Sequence, residues 1–105
     1  MPIYKILLPA EWAEFETAGV FAGSPLDRAD GFVHLSSAEQ LHRTASRYFS
    51  GEPELVVLAV DADLLGADLR WEDNAHGTFP HLYAPLPLSA VTEARHVSDI
   101  SEISA

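Results

Sequence analysis

A chain of 105 residues, 48% of them hydrophobic, has room for one compact domain and none for a second. It has no cysteine, which removes disulfides, thiolate nucleophiles and thiolate metal sites, and its six Lys and Arg against sixteen Asp and Glu leave a net charge of -10 that repels polyanions, so nucleic acid is not an expected partner. The N-terminus has neither the basic stretch nor the apolar run of a signal peptide, and no segment approaches the roughly 18–20 apolar residues of a membrane span, so the expectation is a cytoplasmic protein without a membrane partner. Ile3 to Leu7 alternates in the manner of a strand, and Pro9 at a first helical turn, followed by Trp12, Phe15 and Ala18, predicts a short amphipathic helix that Gly19 ends. Val20 to Asp30, with Gly23, Ser24, Pro25 and Asp27, reads as a loop leading to a central strand over Phe32 to Leu35. Ser36 followed by Glu39 has capping-box spacing; Ala38, Leu41, Ala45, Tyr48 and Phe49 then recur on one helix face, with Glu39, Arg43 and Arg47 on the other.

After a turn from Gly51 to Glu54, the uninterrupted apolar run Leu55 to Val60 predicts a strand covered on both faces. Asp61 is placed to cap a short turn through Leu65, Leu69 to Glu72 resumes strand alternation, and Asp73, Asn74, His76 and Gly77 mark a polar loop. Pro80 cannot donate a ladder hydrogen bond, so Phe79 to Tyr83 is expected as an edge or bulged strand with Phe79, His81 and Tyr83 on one face. A last strand runs from Val91 to Val97, and residues 98–105 form a polar tail expected to fray. The order of elements predicts one α+β domain over residues 1–105 with two main helices and five or six strands.

His34 and His81 each put an imidazole where a strand normally carries Val, Leu or Phe, and burying such a ring unpartnered costs about 1–3 kcal/mol. Two such placements predict that these histidines face a pocket or one another. His34 can bond a ligand hydroxyl or carry a proton, or it is a core histidine satisfied by a backbone carbonyl, and His81, flanked by Phe79 and Tyr83, has the same two readings. Glu72, beside Trp71, is the carboxylate able to stabilise oxocarbenium-like charge, or else a solvated strand residue paired with Arg70. Tyr4 can stack on a ring and Lys5 can pair with a phosphate, and Ser36 either binds a ligand or caps the following helix, the reading favoured here. A local cluster of Lys5, Arg28, Arg43 or Arg47 would focus positive potential in one cleft despite the acidic balance. His34, His81 and Glu72 also have the chemistry of a zinc or iron site, without the alternate-position His pair such sites show on strands. His42, His76 and His96 read as surface residues. There is no Walker loop and no Gly-x-Gly-x-x-Gly.

Asp30 to Ser36, Arg70-Trp71-Glu72 and Phe79 to Tyr83, with the opening Ile3-Tyr4-Lys5-Ile6, resemble the bacterial family named domain of unknown function 952. The resemblance implies the fold of ADP-ribosylating enzymes, a split, strongly bent mixed β-sheet that binds NAD in a cleft between its halves, and it brings no activity with it. A weaker similarity, carried by Val33-His34-Leu35-Ser36, Ala45 and Leu55 to Asp61, is to the NAD-dependent RNA 2'-phosphotransferases, in which a histidine on an early strand contacts the NAD ribose and arginines handle phosphate. Lys5 stands where that histidine is expected, and the RNA-facing basic residues have no evident counterparts. The leading expectation is therefore a cleft lined by Tyr4, Lys5, His34, Ser36, Glu72, His81 and Tyr83 that binds a nucleotide-like small molecule, with NAD as candidate cofactor and Glu72 and His34 as candidate catalytic groups. The alternatives are a noncatalytic interaction module on the same fold, presenting an apolar patch around Trp12, Trp71 or Phe21, and a His/Glu metal-dependent enzyme.

Overall fold

The structure is a computed structural model that describes residues 2–103. Its central strand is β4 (Leu55–Asp61), flanked antiparallel by β1 (Pro2–Leu7) and β8 (Val91–Val97). Successive side chains on a strand point to opposite faces, and here both faces are covered, as the unbroken apolar run predicts. Val56, Leu58 and Val60 enter one core with Ile3, Leu7, Phe15 and Leu82, whereas Leu55 and Val57 enter a second with Ile6, Leu41, Ala45, Val97 and Ile103.

Helix α1 (Pro9–Ala18) starts on a proline, whose missing amide no helical bond requires at that position, and sends Phe15 into the first core. The segment read as a loop is more ordered than expected. Val20–Phe21 forms β2, and Pro25–Asp30 forms a six-residue helix, α2, closed by Gly31 in the left-handed region at φ 89°. Ser24 caps α2: its hydroxyl accepts from the Asp27 amide at 3.2 Å, while the Asp27 carboxylate accepts from the Ser24 amide at 2.9 Å.

A second three-stranded sheet has the order β3-β6-β5, from β3 (Val33–His34), β5 (Leu69–Asn74) and β6 (Gly77–Leu82). Strand β6 lies in its middle, which corrects the expected edge strand. The Pro80 carbonyl accepts from the Leu35 amide at 3.1 Å, so the Pro80 nitrogen, on the same side of the strand, faces the point where β3 ends and no donor is needed. The expected polar loop is a tight hairpin turn, with Asn74 paired to Gly77 and His76 at the tip.

Helix α3 (Ala38–Tyr48) covers the second core with Leu41 and Ala45. Its N-cap is Ser37, one residue later than expected, with the Ser37 amide donating to Gln40 Oε1 at 3.0 Å. Ser36 is instead a buried bridge residue. Its amide and carbonyl exchange hydrogen bonds with Tyr4 at 2.9 and 2.7 Å, tying β1 to the end of β3, and its hydroxyl meets that of Thr44 at 3.0 Å.

A short pair of β2 with β7 (Leu86–Pro87) completes the sheets, and every described pairing is antiparallel, so the expected mixed sheet is replaced by small antiparallel ones. The chain is α+β with two main helices and a third short one. The tail also departs from expectation: Ile103 is buried in the second core and its carbonyl accepts from His42 Nδ1 at 2.9 Å, while Ser98 bonds the Glu102 carboxylate. Residues 104 and 105 lie outside the described residues. No described helix is long and apolar enough to cross a membrane.

Candidate functional site

Alternation along β1 puts Lys5 on the same face as Ile3 and Leu7, directed at the first core, so its ammonium is buried at 7% exposure. An ammonium taken out of water costs several kcal/mol, about what a well-placed counter-charge must offset. Asp27 supplies it from α2, with Oδ2 at 3.0 Å and Oδ1 at 3.3 Å from Lys5 Nζ, which also donates to the His34 carbonyl at 2.9 Å. Asp27 further accepts from the His34 amide at 3.1 Å and meets His34 Nδ1 at 2.6 Å. Burial pushes the Asp27 carboxyl up, yet the His34 hydrogen bond, the Lys5 charge and the Ser24 and His34 amides outweigh it and hold the group well below the usual carboxylate range. Burial draws the Lys5 ammonium down from its ordinary value, against the attraction of Asp27. Gly23 permits this packing, since a Cβ there would stand 2.9 Å from the Asp27 Cβ.

His34 Nε2 faces Asp30 Oδ2 at 2.9 Å, so both of its ring nitrogens are turned to carboxylates. A neutral imidazole donates through one nitrogen alone, and the cation donates through both. Directly across the β3–β6 pair stands His81, with ring centroids 5.8 Å apart. Its Nδ1 lies 2.8 Å from Glu72 Oε1, which also accepts from the Tyr83 hydroxyl at 2.6 Å. Those bonds, Tyr83 first and His81 next, hold the Glu72 carboxyl below its ordinary value, and Glu72 in turn pushes the Tyr83 phenol up. Phe32 stacks on His81 at 4.0 Å, and the Arg70 guanidinium sits 4.8 Å over the Tyr83 ring.

A cavity of about 400 Å³ opens between α3, α2, β1 and the β5–β6 hairpin. Of the residues expected to share a cleft, Tyr4, Lys5, His34, Ser36 and His81 line it; Glu72 and Tyr83 do not, and stand behind His81. Three of the six Lys and Arg (Lys5, Arg43, Arg47) and three of the five histidines (His34, His76, His81) are in the lining, while Arg28 is not. Among the described residues neither Arg43 nor Arg47 is paired with a carboxylate; Arg47 donates to His76 Nδ1 at 3.2 Å. The acids in the lining are already engaged, Asp27 with Lys5 and His34, and Glu11 with the Leu8 amide at 2.9 Å.

Sequence reasoning passed over Asp27 and His76. The Ser24-x-x-Asp27 capping box was the available signal for the first; nothing in the local pattern around His76 points across the molecule to Arg47. His34, His81 and Glu72 do not converge as a ligand set: both His34 ring nitrogens turn to Asp27 and Asp30, and Glu72 Oε1 is held by His81 Nδ1 and the Tyr83 hydroxyl. Among the described residues no group of three or more His, Asp or Glu is arranged to hold a metal ion. Of the three residues around which an apolar patch was expected, Phe21 is buried, Trp12 packs on the first core, and Trp71 is exposed.

The family DUF952, a protein of unknown function, matches residues 6–94. The chain belongs to the DUF952 family. This DUF952 protein is similar to protein CC0527 from Caulobacter crescentus, whose X-ray crystal structure shares 49% identity and a TM-score of 0.87 over 91% of this chain and 85% of that one. A crystal structure of a double methionine variant of CC0527 gives 48% identity and a TM-score of 0.87, again over 91% and 85% of the two chains. The solution NMR structure of CC0527 gives 51% identity and a TM-score of 0.77 over 92% and 83%. No curated protein matches the DUF952 chain.

Proposed function

We propose that the cavity binds a small anionic, ring-bearing molecule of nucleotide type, with NAD and ADP-ribose as the reference ligands, and that the two antiparallel sheets joined through Tyr4 and Ser36 are an ADP-ribosylation-like split sheet with its cleft at the junction. The observation that carries this reading is the placement of charge. In a chain of net charge -10, half of the Lys and Arg side chains meet at one cavity, and two of them, Arg43 and Arg47, have no carboxylate partner among the described residues. Guanidinium groups suit phosphate because their planar donor fork matches two oxygens at once.

The rest of the donor set fits a nucleotide. Phe79, Tyr48 and Leu26 offer apolar wall to a flat ring, and Ser36 and His81 are hydrogen-bonding groups within reach of sugar hydroxyls. The volume falls within the roughly 300–1,000 Å³ of small-molecule sites. With no glycine-rich cradle in the sequence, phosphate recognition rests on side chains alone. Isothermal titration calorimetry with NAD, ADP-ribose, AMP and nicotinamide tests the reading. Heat is expected from the phosphate-bearing ligands, weakening as salt rises. Absence of heat from all four at millimolar concentration overturns it.

A further inference from the structure

The two histidines that face each other across β3 and β6 are held differently, and from that difference we infer that His81, not His34, is the proton acceptor of the cavity, with Glu72 fixing Nδ1–H so that Nε2 presents its lone pair to a hydroxyl of the bound molecule. The identity of that molecule rests on the nucleotide reading above; the state of His81 does not.

Both ring nitrogens of His34 are engaged, by Asp27 and Asp30. His81 uses one. Nδ1 faces Glu72 at 2.8 Å, and no hydrogen bond among the described residues reaches Nε2. Among the described residues no fully buried side-chain nitrogen or oxygen lacks a partner, so Nε2 keeps some contact with solvent, although the residue as a whole is only 6% exposed, and His81 lines the cavity. The carboxylate lies outside that lining, behind the ring.

An ionised carboxylate only accepts, so Glu72 requires the proton on Nδ1 and leaves Nε2 as the acceptor. The Tyr83 hydroxyl, donating to the same Glu72 oxygen, holds that carboxylate in place, and the stacked Phe32 fixes the ring plane. The depressed Glu72 carboxyl agrees with an ionised partner at neutral pH. In the step itself the ligand O–H bond breaks, the electron pair stays on oxygen, and the proton forms Nε2–H. The resulting imidazolium is then compensated by Glu72. Glu72 and Tyr83 are positioning residues in this scheme, and both stand on the regular β5–β6 ladder or directly after it.

Two measurements on the intact protein test the inference. Long-range ¹⁵N–¹H NMR reports the tautomer, and diethyl pyrocarbonate at pH 8 followed by peptide mass spectrometry reports which imidazoles react. The expected result is an Nδ1–H tautomer at His81, modification of His81 but not His34, and protection of His81 by millimolar ADP-ribose. Glu72→Gln is expected to mix the tautomers and slow modification several-fold. An Nε2–H tautomer in the wild type, or a His81 that stays unmodified while exposed His76 reacts, overturns the inference even if calorimetry finds a nucleotide ligand. The Nδ1–H tautomer with ready modification but no protection by ADP-ribose upholds His81 as acceptor and counts against the nucleotide reading instead.

Discussion

Lys5 and Asp27 form an ion pair at 3.0 Å with side chains only 8% and 2% exposed, and the same two groups bond the amide, carbonyl and ring of His34. One buried pair therefore anchors α2 to β1 and sets where β3 begins. Removing a single partner leaves the other charge buried without compensation, which costs about 3–5 kcal/mol, whereas replacing both by apolar groups of similar volume is far less damaging. Asp27→Ala is expected to lower stability by that amount in urea denaturation. Lys5→Met combined with Asp27→Leu is expected to lose less than the two single changes added together. A loss below about 1 kcal/mol for Asp27→Ala would show that the pair is not structural.

The same carboxylate makes stability depend on acid. The folded-state value of Asp27 lies below that of the unfolded chain, near 3.9, so its contribution is fully present above the unfolded value and disappears as pH falls through the folded one. Unfolding free energy is expected to drop between about pH 5 and pH 2, with the Asp27 share approaching about 1.4 kcal/mol per pH unit at its steepest. Asp27→Asn removes that share while leaving Glu72 and Asp99, whose carboxyls are also held low. The difference between the wild-type and Asp27→Asn curves should therefore shrink as pH is lowered. A constant offset between them would contradict the assignment.

Regular elements with dense local signals were legible in the sequence, and geometry assembled over distance was not. Leu55 to Val60 declared a strand buried on both faces because every position is apolar, and Pro9 and Gly19 bracketed α1. His34 and His81 stood out because a polar ring among apolar neighbours is unusual anywhere. Pro80 misled, because a proline is barred only where its missing donor is needed, and whether the facing strand ends there is a tertiary fact. Lys5 looked like a phosphate contact because no sequence window shows that Asp27, twenty-two positions away, will reach its ammonium. Ser36 read as the cap of α3 because no sequence window shows the Tyr4 bridge, which draws Ser36 into a sheet and leaves the cap to Ser37.

That register has a measurable consequence. Gln40 accepts from the Ser37 amide at 3.0 Å through Oε1 and donates from Nε2 to the Thr78 carbonyl at 2.6 Å, so one side chain both caps α3 and ties it to the β5–β6 hairpin. Gln40→Ala is expected to cost about 1–2 kcal/mol, the range for a lost cap with a further hydrogen bond. Glu39→Ala, at the third position of the box first read from Ser36, should change stability by less than about 0.5 kcal/mol. Equal losses for the two variants would contradict Ser37 as the cap of α3.

Arg43 and Arg47, four residues apart on one face of α3, present two guanidinium groups to the cavity from a rigid element, and Arg47 is steadied by His76. A charge-assisted bond to a phosphate contributes about 1.5–3 kcal/mol, so losing one weakens binding by roughly 10- to 100-fold. Arg43→Ala and Arg47→Ala are each expected to reduce ADP-ribose affinity within that range in calorimetry and to flatten its dependence on salt. Both side chains are exposed and carry no structural ion pair among the described residues, so the melting temperature should hardly move. Any response to nicotinamide, which has no phosphate, is expected to be the same for the variants and the wild type. If its affinity falls with theirs, the arginines shape the cavity rather than recognise an anion.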